Sequence, residues 1–282
     1  MALDLDTRHR AMLQEMGVRV WLPKTDFAPE SPRPPSSTPA ATPAATRARP
    51  PQPQVSSTTP LAAEPLVLPE TLGPLADMDW IALQEAAASC RACSLCAGRK
   101  NTTLLPSTGT ADWMVVGDPP EEDEDASASP FAGPSGVLLD NMLAALGLRR
   151  SNGAQAPGVS HAATLAYVTN VVKCRPPQGA LVQSAYLAQC AAYLQREIAL
   201  VQPKIILAMG RFANQLLLRD APDLANQPLG KLRGAVHQFG GIAVVTTYHP
   251  KALMRNSADK AKAWADLCLA ADAVDAMRKA ST

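Results

Sequence analysis

The sequence is poor in aromatic residues, which make up 4% of its 282 positions, and its net charge at pH 7 is only +1. A charge this small excludes a global electrostatic attraction to nucleic acids or membranes, so any such binding has to come from a local patch. The longest apolar runs, such as IILAM, are far too short to span a bilayer, and we expect no membrane partner. The first residues lack the apolar core and cleavage site of a signal peptide, which predicts a cytoplasmic protein.

Cysteine is also scarce, with six in the chain, but three of them cluster in the stretch CRACSLCAGRK. In a reducing compartment, clustered cysteines favour metal or redox chemistry over structural disulfides. Cys90 and Cys93 form a C-x2-C pair, Cys174 follows an apolar run, and Cys190 lies 16 residues further on. A C-x2-C pair and two distant thiolates can close a tetrahedral site, although this spacing is too long for a zinc-finger loop.

Other interpretations of these cysteines remain open at this point. Cys190 and Cys268 fall on apolar helical faces, where a cysteine often serves as a small hydrophobic residue, and we favour that reading for Cys268. Cys96 extends the cluster to C-x2-C-x2-C, which also begins the bacterial ferredoxin pattern, but the completing C-x3-C-P is missing.

The chain divides into three parts by composition. Residues 1–27 include a short segment with helical periodicity, and residues 28–70 are dominated by Pro, Ser, Thr and Ala. The second part has too little apolar surface to offset the entropy of ordering, which predicts a disordered linker. Residues 71–282 then form the folded domain. A short helix on a long linker suggests docking to a protein partner, although an idle tail explains it equally well.

Apolar runs and helical stretches alternate through the third part. The runs WMVVG, AYVTNVVKC, KIILAMG and GIAVVTTYH do not alternate with polar residues, as is typical of strands buried on both faces. Helical periodicity lies between them and after the last. This alternation predicts a mainly parallel sheet covered by helices on both faces.

Polar residues follow these predicted strands. Asp118 comes after the first, Asn170 lies at the end of the second, Gly210 ends the third, and His249 follows the last. Ligands of such sheets bind beyond the carboxyl ends of the strands, so we expect these side chains to share one rim.

Several motifs occur in the order seen in one known family. They are CRACSLCAGR, VVGD, SPFAGPSGVLLDNML, YVTNVVKCRPP, a cysteine 16 residues later, PKIILAMG, KLRG and YHPKALMRN. Over roughly the last 200 residues the chain resembles the family 4 uracil-DNA glycosylases, the iron–sulfur type. The resemblance implies a three-layer α/β/α sandwich around a four-stranded, mainly parallel sheet. It also implies a [4Fe–4S] cluster held by Cys90, Cys93, Cys174 and Cys190, with Cys96 where the family has no ligand.

The function implied by this resemblance is the removal of uracil from DNA in base excision repair, which leaves an abasic site. We expect the protein to be a monomer. The alternative is a protein of the same fold that recognises uracil-containing or damaged DNA but cuts it poorly. A third possibility is a thiol-redox or electron-carrier protein, but none of the residues on the predicted rim requires such a function. Because hydrolysis needs no electrons, we expect the cluster to brace the fold near Asn170.

The resemblance also suggests roles for three rim residues. Phe131 is expected to stack on the extruded base, although alone it reads as a core phenylalanine. Asn170 offers the donor and the acceptor that the O4/N3 edge of uracil requires, and otherwise it would satisfy loop backbone. His249 can donate a hydrogen bond to the oxygen on which charge develops, whereas a lone histidine is more often structural.

Asp118 lies where the family usually has glutamate, and its expected role is to orient water and support the cationic sugar. Pro119 and Glu121 occupy positions that are usually glycine, which alters the pocket wall where that water should sit. The acidic residues 122–125 can include a substitute acid, but a solvated acidic loop is the simpler explanation for most of them.

DNA binding requires local positive charge. The stretch HPKALMR resembles the family's loop that enters DNA after base extrusion, so Lys251 and Arg255 are expected to contact DNA, and Leu253 or Met254 to act as an apolar wedge. Lys251 replaces the family's usual serine. Further candidates for phosphate contact are Lys173, Arg175, Lys231 and Arg233.

Overall fold

The computed structural model describes residues 73–107, 109–152, 164–180 and 182–280. The predicted N-terminal helical segment, residues 1–27, and the whole Pro-rich linker, residues 28–70, therefore lie outside the described residues.

The strands form one sheet with the spatial order β2-β3-β1-β4-β6-β5. Their bounds are β1 Trp113–Gly117, β2 Leu148–Arg150, β3 Thr164–Asn170, β4 Ile205–Met209, β5 Val236–Phe239 and β6 Ile242–Thr247. All neighbouring pairs are parallel except β5 with β6. The mainly parallel sheet is confirmed, but the predicted count of four strands is wrong, because the sheet has six strands within the described residues. The two missed strands lie at the edges: β2 has three residues, and β5 is largely exposed, so neither contains a buried apolar run.

Helices cover both faces of this sheet. The α-helices are α1 Trp80–Ser89, α2 Glu122–Ser127, α3 Gly133–Ala145, α4 Ser184–Val201, α5 Arg211–Leu217, α6 Pro222–Ala225, α7 Leu229–Leu232, α8 Pro250–Arg255 and α9 Lys260–Ala280. Successive residues of β1 alternate between two cores. Met114 and Val116 pack with residues of α4 and α5, while Trp113 and Val115 pack with residues of α3 and α9. This alternation follows from the twofold side-chain period of a strand, and it produces the expected three layers.

The strand register brings the chain segments of interest to one edge. Gly117 lies beside both Asn170 and Met209, and Met209 lies beside Thr247. The residues that follow these strands, including Asp118 and His249, therefore emerge from the carboxyl edge of the sheet, as the pattern of the sequence predicts. Within the described residues, no helix is long and apolar enough to cross a membrane.

Candidate functional site

Phe131 and His249 stack face to face at the carboxyl edge, with ring centroids 4.9 Å apart and an interplanar angle of 15°. The Phe131 ring also covers the backbone of Gly117, where an added Cβ would lie 2.3 Å from the ring. Phe131 has a φ of 52°, a left-handed conformation that bulky residues seldom adopt. Backbone strain of this kind is concentrated at functional sites and persists only where the surroundings enforce it.

Arg150, from the missed edge strand β2, holds the Phe131 loop in this conformation. Its guanidinium donates to the carbonyl oxygens of Pro130 at 2.8 Å, Phe131 at 3.2 Å and Gly136 at 3.2 Å. It also pairs with Asp140 at 2.5 Å. The buried arginine therefore donates to two carbonyl oxygens of the Phe131 loop and to one in the first turn of α3.

Asn170 is fully buried at the end of β3. Its Nδ2 donates to the carbonyl oxygen of Asp118 at 3.0 Å and to Oε1 of Glu124 at 2.9 Å. Within the described part of the chain, its Oδ1 has no hydrogen-bond partner. The amide nitrogen has to face the carboxylate of Glu124, because a carboxylate only accepts hydrogen bonds. The amide oxygen of Asn170 is therefore a buried acceptor that is open to a ligand.

Glu124 is a site residue that the sequence interpretation did not single out. Its Oε1 accepts from the backbone N–H of Phe131 at 2.6 Å as well as from Asn170, and its Oε2 accepts from the N–H of Glu121 at 2.8 Å. Burial raises the pKa of this carboxyl, while its hydrogen bond to Asn170 acts in the opposite direction. Glu121 and Glu124 form a capping box at the start of α2, and their three-residue spacing was the signal available in the sequence.

Asp118 directly follows β1, and its side chain contacts the start of α5. Its Oδ1 accepts from the N–H groups of Phe212 at 2.7 Å and Ala213 at 3.3 Å, and its Oδ2 accepts from Arg211 at 3.2 Å. The carboxylate thus caps the N-terminus of α5. Burial raises the pKa of Asp118 to about 6, against the opposing effect of these backbone donors.

His249 is the N-cap of α8, and its Nδ1 accepts from the N–H of Lys251 at 3.3 Å. Because Nδ1 acts as an acceptor, the ring proton of the neutral form lies on Nε2. Burial lowers the pKa of His249 to about 4, so the imidazole is neutral at physiological pH. The site therefore contains an uncharged hydrogen-bond donor.

A cavity of about 420 Å³ opens beside Asp118. It is lined by residues 118–122, by residues 175–180 and Val182, and by Phe212 and Lys251. Two ion pairs join its acidic and basic walls: Lys251 with Glu121, and Arg175 with Glu122 at 3.5 Å. Of the acidic run 122–125, Glu122 and Asp123 are exposed, whereas Glu124 and Asp125 are buried.

The residues expected to contact DNA differ in their exposure to solvent. Met254 is 51% exposed, and Arg255 is exposed as well. Leu253 instead lies wholly within the core shared by α3 and α9, so only Met254 of the two wedge candidates is accessible. Lys173 is buried, which corrects its reading as a phosphate contact. Arg233 pairs with Asp266 at 2.6 Å.

The cysteines of interest come from three segments that pack together. Cys174 and Cys190 belong to one core, and Cys93 packs against it. Arg99 donates to the Cys174 sulfur at 3.0 Å. Burial raises the pKa of Cys174, as do the nearby thiols of Cys93 and Cys90 to a smaller extent. Cys268 lies elsewhere, against the core of α3 and α9.

Whether these thiols suit a metal centre depends on the kind of centre. Among the described residues, no group of three or more His, Cys, Asp or Glu side chains could hold a single metal ion. An iron–sulfur cluster is polynuclear, and its thiolates surround it rather than converge on one ion. Cys90, Cys93, Cys96, Cys174 and Cys190 are outside disulfides, and Cys93 packs against the core that contains Cys174 and Cys190. The four predicted ligands, Cys90, Cys93, Cys174 and Cys190, are therefore free thiols of the kind that hold such a cluster.

Comparison with known proteins gives consistent matches. The family model described as the uracil DNA glycosylase superfamily matches residues 106–268. A type-4 uracil-DNA glycosylase of Archaeoglobus fulgidus is 33% identical over 172 residues, which cover 59% of this chain and 78% of the relative. One from Pyrobaculum aerophilum is 33% identical over 196 residues, 68% of this chain and 93% of the relative. One from Thermotoga maritima is 30% identical over 179 residues, 63% of this chain and 84% of the relative.

Proposed function

Because the chain belongs to the uracil-DNA glycosylase superfamily, we propose that it extrudes uracil from DNA and hydrolyses the N-glycosidic bond, leaving an abasic site. The observation that carries this proposal is the buried Asn170 amide, whose Nδ2 is fixed by two acceptors and whose Oδ1 remains open within the described residues. The relatives named as type-4 uracil-DNA glycosylases support the same activity.

Asn170 distinguishes uracil from cytosine in this proposal. Uracil carries a proton on N3, and this N–H can donate to Oδ1. Cytosine has a lone pair at N3, which would face Oδ1 as a second acceptor and leave a buried polar group unsatisfied. Phe131 and Asn170 are both buried in the free protein. The residues that cover them at the carboxyl edge of the sheet therefore have to move before the base can reach them. Phe131 then stacks on the extruded ring.

His249 stabilises the leaving group. As the glycosidic bond breaks, negative charge develops on the uracil oxygen, and a preorganised donor lowers the free energy of that state. A neutral imidazole with its proton on Nε2 supplies such a donor, and it stabilises the uracil anion by a hydrogen bond without giving up this proton. The acceptor role of Nδ1 towards Lys251 and the lowered pKa of His249 both support this assignment.

Asp118 is the proposed group that orients water and supports the cationic sugar. Its position beside the 420 Å³ cavity favours this role, but its carboxylate is also engaged by three backbone N–H groups. That engagement favours a second candidate function, a protein that recognises uracil in DNA and cuts it slowly. The two functions differ in turnover and not in recognition.

In this proposal, the exposed residues of α8 contact DNA. Lys251 and Arg255 bind phosphates, and Met254 fills the space left by the extruded base. Leu253 is left out of this set because it is part of the core.

We further propose that Cys90, Cys93, Cys174 and Cys190 hold a [4Fe–4S] cluster. When bound, the cluster supplies a covalent cross-link among three chain segments, and its binding free energy contributes to folding. Because hydrolysis is redox-neutral, the role of the cluster in this proposal is to cross-link these segments and not to transfer electrons. Arg99, which donates to Cys174, offsets the negative charge of the thiolates.

A cleavage assay tests the proposed activity. The purified protein is incubated with an oligonucleotide that contains one uracil, and abasic sites are converted to strand breaks with alkali. We expect breaks at the uracil position, and far fewer with Asn170→Ala. If the wild-type protein produces no more breaks than Asn170→Ala but binds this oligonucleotide more tightly than a uracil-free one, the second candidate function is correct.

A further inference from the structure

Lys173 is a buried lysine with several hydrogen-bond partners, and it has no role in the function proposed so far. Its side chain is 2% exposed, so it cannot reach a DNA phosphate. Its ammonium donates to Oε2 of Glu197 at 2.5 Å, to Oγ1 of Thr169 at 2.7 Å and to the backbone carbonyl of Asn170 at 2.7 Å. The three donors of the ammonium are thus matched by three acceptors.

Glu197 completes this network from the opposite side. It is fully buried on α4, and its Oε1 accepts from the hydroxyl groups of Tyr167 and Thr169, each at 2.9 Å. Tyr167 and Thr169 belong to β3, the strand that ends at Asn170. Cys190 lies on the same helix as Glu197, seven residues or about two turns earlier. The network therefore joins the helix that carries Cys190 to the end of the strand that carries Asn170.

The cost of burying two charges indicates what this pair does. Desolvation of a lysine and a glutamate often outweighs their mutual attraction, and an apolar pair of similar volume frequently stabilises a protein as well. A buried ion pair is therefore weak evidence that its only role is to stabilise the fold. Here the ammonium binds the main chain of Asn170 directly, while Asp118 and Glu124 bind its side chain.

We propose that Lys173 and Glu197 are positioning residues for uracil recognition. Glu197 holds the ammonium of Lys173, Lys173 holds the carbonyl oxygen of Asn170, and the amide of Asn170 is thereby kept in the orientation that reads the base. Small displacements of a recognition group cost large factors in rate. This inference rests on the proposed function, because it assigns Asn170 to uracil recognition.

A charge-free double variant tests the proposal. Lys173→Met with Glu197→Gln removes both charges and the bond to Asn170, while the new amide oxygen still accepts from Tyr167 and Thr169. We expect kcat/KM for a uracil-containing oligonucleotide, and the affinity for free uracil measured as inhibition, to fall roughly tenfold each. The melting temperature, the iron content and the affinity for a uracil-free oligonucleotide should stay near their wild-type values.

Several outcomes separate this inference from its premises. A folded double variant with wild-type kcat/KM and wild-type uracil inhibition would overturn it. A parallel loss of uracil-free DNA binding and iron would also overturn it, because the pair would then be merely structural. A wild-type protein that neither cleaves at uracil nor is bound by free uracil would overturn the proposed function itself.

Two further variants complete the design. Asp112→Asn removes ion pairs with Lys204 and Arg278 at the opposite end of β1, and it should leave kcat/KM and uracil inhibition unchanged. If the double variant does not fold, Thr169→Val decides, because it removes one acceptor of the ammonium and one donor to Glu197 while the Asn170 side chain is unchanged. We expect a two- to threefold loss of uracil affinity with unchanged iron content, and no loss would overturn the inference.

Discussion

The ammonium of Lys251 on α8 is ion-paired with the carboxylate of Glu121 at the start of α2, across the cavity beside Asp118. Both positions depart from the motifs of the resembled family, and the structure shows that the two departures are partners. A lysine expected to contact DNA is therefore already paired in the free protein. A phosphate that binds Lys251 has to compete with Glu121.

Neutralising Glu121 should consequently strengthen DNA binding. In Glu121→Gln the side chain can still cap α2, but the competing charge is gone. Partly exposed ion pairs are worth up to about 1 kcal/mol, so we expect a two- to fivefold tighter Kd at low salt, with the difference shrinking as salt rises. Fluorescence anisotropy with a labelled oligonucleotide measures it. Glu85→Gln, an equal charge change on α1, is the control, and an equal gain there would refute a local effect.

The contact between Gly117 and the Phe131 ring leads to a second prediction. In Gly117→Ala the new methyl would lie 2.3 Å from the ring, so Phe131 has to leave its position against His249. We expect at least a tenfold loss of kcat for uracil excision. Gly230→Ala is the matched control, because a Cβ there meets nothing within 4 Å. Equal activity of the two variants would show that the position of Phe131 is immaterial.

The carboxylate of Asp118 should appear in the pH dependence of excision. Its pKa is raised to about 6 by burial, and only the ionised form can orient water and support a cationic sugar. The rate should therefore fall as the pH drops below about 6. In Asp118→Asn, whose amide oxygen can still accept from the N-terminus of α5, the rate should be lower and this acidic limb should be absent. An unchanged limb in Asp118→Asn would assign it to another group.

Cysteine substitutions test the proposed cluster. Cys174→Ala removes a buried thiol next to Arg99, and we expect it to lose the brown colour, most of the iron and much of the soluble yield. Cys268→Ala, in the other core, should lose none of these. Iron determination per chain on both variants measures the effect. Full iron content in Cys174→Ala would mean that the ligand set is wrong.

The sequence predicted the parts of the fold whose signal is local. The strands β1, β3, β4 and β6 are apolar runs buried on both faces, and their ends predicted the shared edge of Asp118, Asn170 and His249. The edge strand β5 was missed because it is largely exposed and contains polar residues, so its stability comes from pairing with β6.

The errors at the site have a common physical origin. Lys173 was read as a surface cation, and most of the acidic run that contains Glu124 was read as a solvated loop, although a substitute acid within it was left open, since charged residues are rarely buried. Their burial depends on partners distant in the sequence, Asn170 for Glu124 and Glu197 for Lys173. Similarly, Leu253 and Met254 are equally apolar neighbours, and only the packing of α8 determines which one faces the core.

The central claim is that this protein frees uracil from DNA through base recognition by Asn170 and leaving-group stabilisation by His249. The most direct test is to quantify the free base released from matched oligonucleotides that contain uracil or cytosine at one position. We predict one uracil per abasic site formed, no cytosine, and a loss of about a hundredfold or more in His249→Ala. If iron-replete wild-type protein releases no uracil from the uracil substrate, this proposal is wrong.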